Sequence, residues 1–257
     1  MIFQKFRILL VSVLLLSSVS IFSQTHIYTV SSGELLFQWS DVSFTDDYMQ
    51  QHPNDELVGN PLRFTMFLHL GQYVHIDFNN NFGILSGLAL RNVGFISDER
   101  LDFNDDGNIQ DFKIIRRSYT LGLPLAIKLG SFKNHTYLFG GGEYELAFAY
   151  KEKYWNSHNR SGSKSPKFTQ WFGSQTPTFI PSVFAGVQFP GGVNIKFKYY
   201  LENFINNKYT NPNNRISDLT RYKNVNVMYI SLSWQFNTGD LIKHNQSKSN
   251  SNSNSNI

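Results

Sequence analysis

Large apolar residues alternate with polar or small residues over four segments of the chain, residues 61–78, 119–129, 193–201 and 228–236. A period of two is that of a β-strand with one apolar face and one polar face. Strands of soluble sheets usually span about five or six residues, whereas a tilted strand that crosses a bilayer needs about nine to eleven. The length of these segments therefore favours strands that span a membrane.

Short turns and long polar connections separate the strands in regular alternation. The short connections, residues 79–81, 130–134 and 190–192, are rich in the Asn and Gly residues that suit tight hairpins. The long connections are residues 41–60, 97–112, 154–176 and 204–223. The segments between them predict eight strands, at residues 33–40, 61–78, 82–96, 115–129, 135–153, 178–189, 193–203 and 224–236. The sequence thus predicts an all-β fold, an eight-stranded antiparallel up-and-down transmembrane β-barrel with short periplasmic turns and long extracellular loops.

Both ends of the chain differ in composition from this barrel. Lys5 and Arg7 precede an apolar run at residues 8–19, which is followed by small residues, so we interpret residues 1–23 as a cleaved secretory signal peptide. A transmembrane anchor is the alternative, but the run is shorter than the roughly 20 residues that a spanning helix needs. Residues 237–257 end in a Ser/Asn tract, which predicts a disordered tail after a barrel at residues 24–236.

Composition supports an envelope location and limits the partners. The mean hydropathy is slightly negative, as expected when half of each strand faces a polar lumen, and the 16% aromatic content can supply the girdles at both membrane interfaces. The net charge of +4 is spread along the chain and indicates no nucleic-acid partner. The expected partners are outer-membrane lipids, the barrel-assembly machinery that reads a terminal strand such as residues 228–236, and a protein or surface ligand bound by the long loops.

Charged residues recur on the polar face of the predicted strands, where they would point into the lumen. The interior of an eight-stranded barrel is just wide enough to be filled by side chains, so we expect opposite charges to pair across strands. A charged conducting pore is the alternative. The predicted lumen charge network consists of Arg63, Asp77, Arg91, Glu143, Glu145, Lys196, Lys198 and Glu202.

One predicted loop carries a candidate calcium site. Asp102, Asn104, Asp106 and Asn108 surround Gly107 in the pattern of the first half of a calcium-binding loop. Position twelve is Lys113, where such a loop needs a bidentate Glu, so an ordinary acidic turn is the alternative. We expect no other cofactor, because the three glycines at residues 140–142 lie inside a strand and the histidines show no metal-ligand spacing.

Several segments of the chain resemble a known family. They are residues 75–78, 87–96 (GLALRNVGFI), 117–129 (RSYTLGLPLAIKL), 138–146 (LFGGGEYEL) and 184–200 (FAGVQFPGGVNIKFKYY). They look like the small outer-membrane β-barrel proteins of Bacteroidota-type bacteria, the PorT-like or porin-family group. The resemblance spans most of residues 61–236 and implies a barrel in the outer membrane. PorT itself belongs to a protein secretion and gliding apparatus, and no residue of this chain carries that role over.

We therefore expect an integral outer-membrane barrel with a structural, adhesion or surface-interaction role and no catalysis. A narrow channel for small solutes, a component of a secretion or gliding apparatus, and a lipid-modifying enzyme are the alternatives. His69 and Glu143 could belong to a hydrolase triad, but no nucleophile motif distinguishes one serine from the others.

Overall fold

The computed structural model describes residues 25–102, 107–211 and 214–243, and within these ranges the chain is almost entirely β-structure. Eight strands form a ring, and three short strands and one short helix lie in the connections between them. The ring strands are β1 (His26–Phe44), β4 (Leu70–Asp77), β5 (Phe82–Asp102), β6 (Ile109–Ser131), β7 (Thr136–Trp155), β9 (Phe179–Gln188), β10 (Val193–Tyr200) and β11 (Tyr222–Lys243). The connections contain α1 (Asp46–Gln51), β2 (Glu56–Gly59), β3 (Arg63–Thr65) and β8 (Phe168–Trp171).

The ring strands close on themselves in chain order. Each pairs antiparallel with its neighbour along the chain, from β1 through β4, β5, β6, β7, β9 and β10 to β11. The first and last strands then pair with each other, from His26 opposite Lys243 to Phe44 opposite Tyr222. Closure pairs the first and last strands of the sheet, as a sheet that crosses a bilayer requires. The predicted eight-stranded up-and-down barrel is confirmed.

The exterior of the barrel is apolar and the interior is polar. On β6 the side chains at odd positions from Leu121 to Leu129 are exposed, whereas Thr120, Ala126 and Lys128 at even positions are buried. Other strands add Leu88, Leu138, Val183, Ile195, Phe197 and Ile230 to this exposed apolar belt. This distribution is the reverse of that in a soluble barrel and identifies a transmembrane barrel. No helix among residues 25–102, 107–211 and 214–243 has the length and apolar character needed to cross a membrane.

Tight turns occupy one end of the barrel, as predicted, and longer connections join β1 to β4, β7 to β9 and β10 to β11 at the other end. In the turn between β4 and β5, the side chain of Asn79 accepts hydrogen bonds from the backbone N–H groups of Asn81 and Phe82, both at 2.8 Å. The turn between β9 and β10 places Gly191 and Gly192 at φ values of 79° and 83°, where a side chain would be strained. Local turn chemistry therefore fixes both hairpins.

Several strands extend further than the sequence predicted. The strands β5 and β6 pair from Phe82 opposite Leu129 to Asp102 opposite Ile109, so most of the predicted loop at residues 97–112 is strand. The predicted barrel boundary at residue 236 is also wrong, because β11 continues to Lys243 against the extended start of β1. The predicted signal peptide lies outside the described residues, as does the tail from residue 244 onwards.

The predicted strand at residues 61–78 is interrupted. Gly33 lies opposite Leu70 and Leu36 lies opposite Thr65, so residues 66–69 stand opposite only residues 34–35. Leu68 adopts a φ of 60° in this bulge. The bulge explains why the alternation fails at Phe67, which sits at an odd position but is exposed.

Above this bulge, side chains replace the backbone ladder between β3 and β5. Backbone pairing of β4 with β5 ends at Leu70 and Leu90. The N–H of Asn92 then donates to His69 Nδ1 at 3.3 Å, and the guanidinium of Arg63 donates to Asn92 O at 3.0 Å and to Asn92 Oδ1 at 2.8 Å. The side chain of Gln38 accepts from the N–H of Gly94 at 2.9 Å. This side-chain seam supplies hydrogen-bond partners to backbone groups of β5 that no neighbouring strand pairs.

The exposed apolar belt predicts that a charge placed on it destabilises the barrel. Leu125 lies at the centre of the exposed run on β6 and is 62% exposed, so replacing it loses little packing. The change Leu125→Arg should reduce the free energy of unfolding by roughly 2–4 kcal/mol, because it places a charge in the hydrocarbon. Urea unfolding in lipid vesicles measures the effect. Asn134→Arg, in the exposed turn between β6 and β7, is the control and should cost less than about 1 kcal/mol. Equal costs at the two sites would contradict the assignment of the belt.

Candidate functional site in the barrel interior

Six charged side chains from four strands meet at the middle of the barrel. They are Glu34 on β1, Arg91 on β5, Glu143 and Glu145 on β7, and Lys196 and Lys198 on β10, and all six are buried. We call this group the inner charge network. It contains three carboxylates and three cations, so the network is neutral as a whole.

Direct ion pairs link every member of the inner charge network. Glu34 pairs with Arg91 at 3.2 Å and with Lys196 at 3.0 Å. Glu143 pairs with Arg91 and, at 2.7 Å, with Lys198. Lys198 also pairs with Glu145. Since an unpaired ion in such a place costs several kcal/mol, each charge depends on its partners.

Tyrosine hydroxyls and one glycine complete the inner charge network. Tyr73 donates to Glu34 Oε1 at 3.1 Å, and Tyr200 donates to Glu145 Oε1 at 2.8 Å. On β6, a Cβ atom at Gly122 would overlap the carboxylate of Glu143. The missing side chain therefore lets this carboxylate lie against the wall and reach Arg91 and Lys198.

A second group closes the end of the barrel that carries the tight turns. Lys128 pairs with Asp77 at 2.5 Å and lies 3.0 Å from His75 Nδ1. Its ammonium also lies over the rings of Tyr28, Phe132 and Tyr137, at 5.3, 4.5 and 4.9 Å from the centroids. Buried apolar side chains fill the space between this group and the inner charge network, among them Leu85, Ala126, Phe139 and Phe184.

A third group, which we call the outer charge network, lies beyond the apolar belt. Glu99 on β5 accepts from Arg221 at 3.0 Å and from the hydroxyl of Tyr222 at 2.5 Å. Arg116 on β6 pairs with Glu152 on β7 at 2.9 Å and donates to Tyr222 at 2.6 Å. Burial alone would raise the pKa of Glu99, but Arg221 and Arg116 outweigh it and hold this pKa below its ordinary value.

The outer charge network also fixes the last long connection across the mouth of the barrel. Arg116 donates to the carbonyl of Ile216 at 2.6 Å, and Arg221 donates to the carbonyl of Arg215 at 2.7 Å. Ser217 donates to Glu152 at 2.5 Å. The short 3₁₀ turn Arg215–Ser217 is thereby tied to the barrel wall. The connection after β10 therefore acts as a lid held by buried ions.

Apolar packing separates the outer and inner charge networks. Leu36, Phe95, Phe204 and Leu219 belong to a large buried cluster at this level, together with Val93, Ile180, Ile205, Val225 and Val227. One cavity beside the inner charge network has a volume of about 20 Å³, enough for one water molecule. Layers of side chains thus fill the described length of the lumen.

The structure brings together five of the eight predicted lumen residues, Arg91, Glu143, Glu145, Lys196 and Lys198. Asp77 instead belongs to the group around Lys128, and Arg63 lies in the seam beside Asn92. The prediction for Glu202 is wrong: it is exposed and follows Tyr200, the last residue of β10, so it no longer faces the lumen.

Sequence reasoning missed Glu34, which binds two cations of the network. A signal was present, because Leu35, Phe37 and Trp39 alternate with Glu34, Leu36 and Gln38 on β1. It also missed the outer charge network, whose residues lie in segments assigned to loops or left without a role. The candidate triad residues are held apart, with His69 in the seam at Asn92 and Glu143 bound to Arg91 and Lys198.

The candidate calcium loop is only partly described. Asn104 and Asp106 lie outside the described residues. Asp102 is buried, accepts the N–H of Gly107 at 2.9 Å, and donates its own N–H to Asp55 at 2.7 Å. Asn108 also interacts with another group of the protein. Among residues 25–102, 107–211 and 214–243, no three His, Asp or Glu side chains are grouped as metal ligands, so calcium binding stays a prediction.

Comparisons with known proteins found similarity to solved structures alone. No protein-family model matches the chain, and no curated protein matches its sequence. One similar solved structure is Ail, the attachment invasion locus protein of Yersinia pestis, in complex with the heparin analogue sucrose octasulfate (14% identity, 82% of this chain and 99% of that chain, TM-score 0.32). Another is the outer membrane protein OprG from Pseudomonas aeruginosa (13% identity, 83% of this chain and 97% of that chain, TM-score 0.34).

Coupling inside the inner charge network is the second prediction. Lys198→Met should destabilise the barrel by about 3–5 kcal/mol, because it leaves Glu145 buried without its nearest cation. Adding Glu145→Gln should recover part of this loss, and a double-mutant cycle by urea unfolding measures the coupling. Lys198→Met combined with Asp77→Asn is the control, because Asp77 pairs with Lys128 instead, and these two costs should add within about 0.5 kcal/mol. Additivity of Lys198 with Glu145 would refute a paired interior.

The outer charge network predicts a dependence of stability on pH. Because the pKa of Glu99 is lowered in the folded protein, its contribution is present above the ordinary carboxyl pKa of about 4.3 and is lost as the pH falls through the folded value. Glu99→Gln should therefore lower the free energy of unfolding at pH 7 and flatten its decline on acidification, measured by urea unfolding.

The control for this pH profile is Asp46→Asn. Asp46 forms an exposed pair with Lys223 at 3.2 Å, which should contribute less than about 1 kcal/mol. The Asp46→Asn profile should match that of the unmodified protein. If Glu99→Gln also matched it, the ion pair between Glu99 and Arg221 would not contribute to the stability of the folded protein.

Proposed function

We propose that this protein is an integral outer-membrane barrel with a sealed interior, which acts as a structural, adhesion or surface-interaction protein through its long loops and performs no catalysis. The observation that carries the proposal is the filled lumen. Two charge networks, the group around Lys128 and the apolar layers between them occupy the interior, so the barrel offers its loops to a partner instead of a path to a solute.

The fold and the loop anchors support this proposal. Barrels of this kind with short turns at one end and long loops at the other are typical of outer membranes, where the long loops face outwards. The lid at Arg215–Ser217 is tied to buried ions. The segment around Asp55 is tied to it in turn, because Arg215 pairs with Asp55 at 2.9 Å. Anchored loops give a partner a defined surface and lower the ordering cost of binding.

The sequence supports three further parts of this proposal. They are membership of the PorT-like group, cleavage of a signal peptide at residues 1–23, and recognition of the last strand by barrel-assembly machinery. A link to a secretion or gliding apparatus would follow from the first of these.

Conductance across a planar bilayer tests the sealed interior. The refolded protein should give no discrete conductance steps at about 100 mV, because the inner charge network and the apolar layer leave no continuous water path. A separate labelling experiment in intact cells tests the orientation. It uses Asn159→Cys, which is exposed in a long connection, and Asn80→Cys, which is exposed in a tight turn. Only Asn159→Cys should react. Regular conductance steps would instead favour the channel alternative.

A further inference from the structure

Six basic side chains gather on the outer wall of the barrel near one long connection. Arg117 on β6 lies opposite Lys151 on β7, and Lys153 follows two positions later on the same outward face. The connection after β7 adds Arg160, Lys164 and Lys167. We call these six residues the basic patch.

Aromatic rings hold four of the six cations of the basic patch in place. The buried ring of Trp155 packs with Ile96 and Ile115. It lies beneath Lys153, Arg160 and Lys164, with centroid distances of 4.7, 5.4 and 5.8 Å. These three cations therefore pack on the same aromatic ring, which favours a fixed arrangement over independent, solvated side chains.

The backbone of the connection supports the same arrangement, since residue 164 bridges back to residue 155. Ser165 donates its N–H to the carbonyl of Tyr154 at 2.9 Å, and Asn156 donates to Ser163 at 3.0 Å. Lys151 lies separately over the ring of Tyr119, at 4.5 Å. The patch is thus built on the barrel wall and on a connection tied to it.

The acidic residues near the basic patch are engaged elsewhere. Glu152 points into the lumen to Arg116, and Asp98 pairs with Lys113 at 2.6 Å. Asp111 pairs with Arg100 at 3.1 Å. Burial, together with Arg117, Lys164, Arg160 and Lys167, lowers the pKa of Lys153. The patch therefore carries an excess of positive charge that an anion would relieve.

The height of the basic patch indicates which anion it meets. Lys151 lies two residues beyond Ala149, which is opposite Trp171 on β8. Trp171 and Phe172 are 64% and 70% exposed, as expected of aromatic residues at a membrane interface. The patch begins directly beyond these rings on the outward face of the barrel, from which we infer that it lies at the level of lipid headgroups.

We propose that the basic patch binds the phosphate groups of a phosphorylated glycolipid in the outer leaflet, with the acyl chains of that lipid against Trp171, Phe172 and the belt below. This proposal rests on the outer-membrane orientation proposed above. Arginine and lysine side chains suit phosphate oxygens, and cations just beyond a bilayer attract anionic headgroups. A soluble polyanion would use the charges but would leave the adjoining apolar rings exposed.

Binding of purified lipid A to the refolded full-length protein in nanodiscs tests the proposal. Native mass spectrometry would compare lipid A bearing two phosphates with the same lipid after dephosphorylation, each added to phosphatidylcholine. The phosphorylated form should bind at least about tenfold more tightly. Equal binding of the two forms would overturn the assignment.

Matched triple variants locate the site. Lys151→Gln, Lys153→Gln and Lys164→Gln together should weaken binding of the phosphorylated lipid by about tenfold or more. The control removes the same charge at the exposed residues Lys133, Lys208 and Lys223, and should bind like the unmodified protein. Circular dichroism confirms that both variants fold. Should either variant not fold, the single change Lys164→Gln, at an exposed residue, should still weaken binding. If binding were unchanged in the patch variants, the proposal would fail.

Soluble polyphosphate is the competing ligand. It should displace the lipid only weakly. If polyphosphate bound tightly and the protein showed no preference for the lipid, the ligand of the patch would be a soluble polyanion and the glycolipid assignment would be wrong. Because nanodiscs expose both ends of the barrel, this result does not depend on orientation. Failure of the outer-membrane proposal would show separately, as labelling of Asn80→Cys in intact cells.

Discussion

The narrow interior of an eight-stranded barrel is the constraint from which most of this structure follows. At this diameter side chains fill the lumen and leave little room for water, so a charge that points inwards must meet an opposite charge. Arg91 illustrates the result, since it contacts Glu34 on β1 and Glu143 on β7 across the barrel. These contacts brace strands that are not neighbours in the sheet, and the wall and the interior therefore stabilise each other.

The same constraint explains the seam between β3 and β5. Where the bulge at residues 66–69 ends the backbone ladder, the polar groups of Asn92 and Gly94 still need partners, because hydrocarbon offers none. Arg63, His69 and Gln38 supply them from side chains. These side-chain hydrogen bonds compensate for the backbone pairs that the bulge interrupts. They also place Arg63 in the wall of the barrel instead of in the inner charge network.

Sequence alone could predict features that repeat along the chain. The alternation on β6 fixes which face meets lipid, and the Asn and Gly residues of the tight turns fix the strand order. The closed barrel and five charges of the lumen could therefore be predicted. Glu34 was missed as a partner because its pairing with Arg91 joins β1 to β5, which lie on either side of β4 in the sheet, across 57 positions of the chain. The bulge at Leu68 and the lid at Ile216 depend on tertiary contacts that no local pattern reveals. Glu202 was misplaced because the strand ends before it.

The pairing of β1 with β11 has a consequence for how the chain folds. Thr29 and Gly239, which bond across this junction, are separated by 210 positions, so the junction has a high contact order and a large loop-closure entropy. Until the last strand docks, both partners remain open edges that other chains could extend. The unclosed chain is therefore the stage most exposed to aggregation, and the final strand sets when that exposure ends.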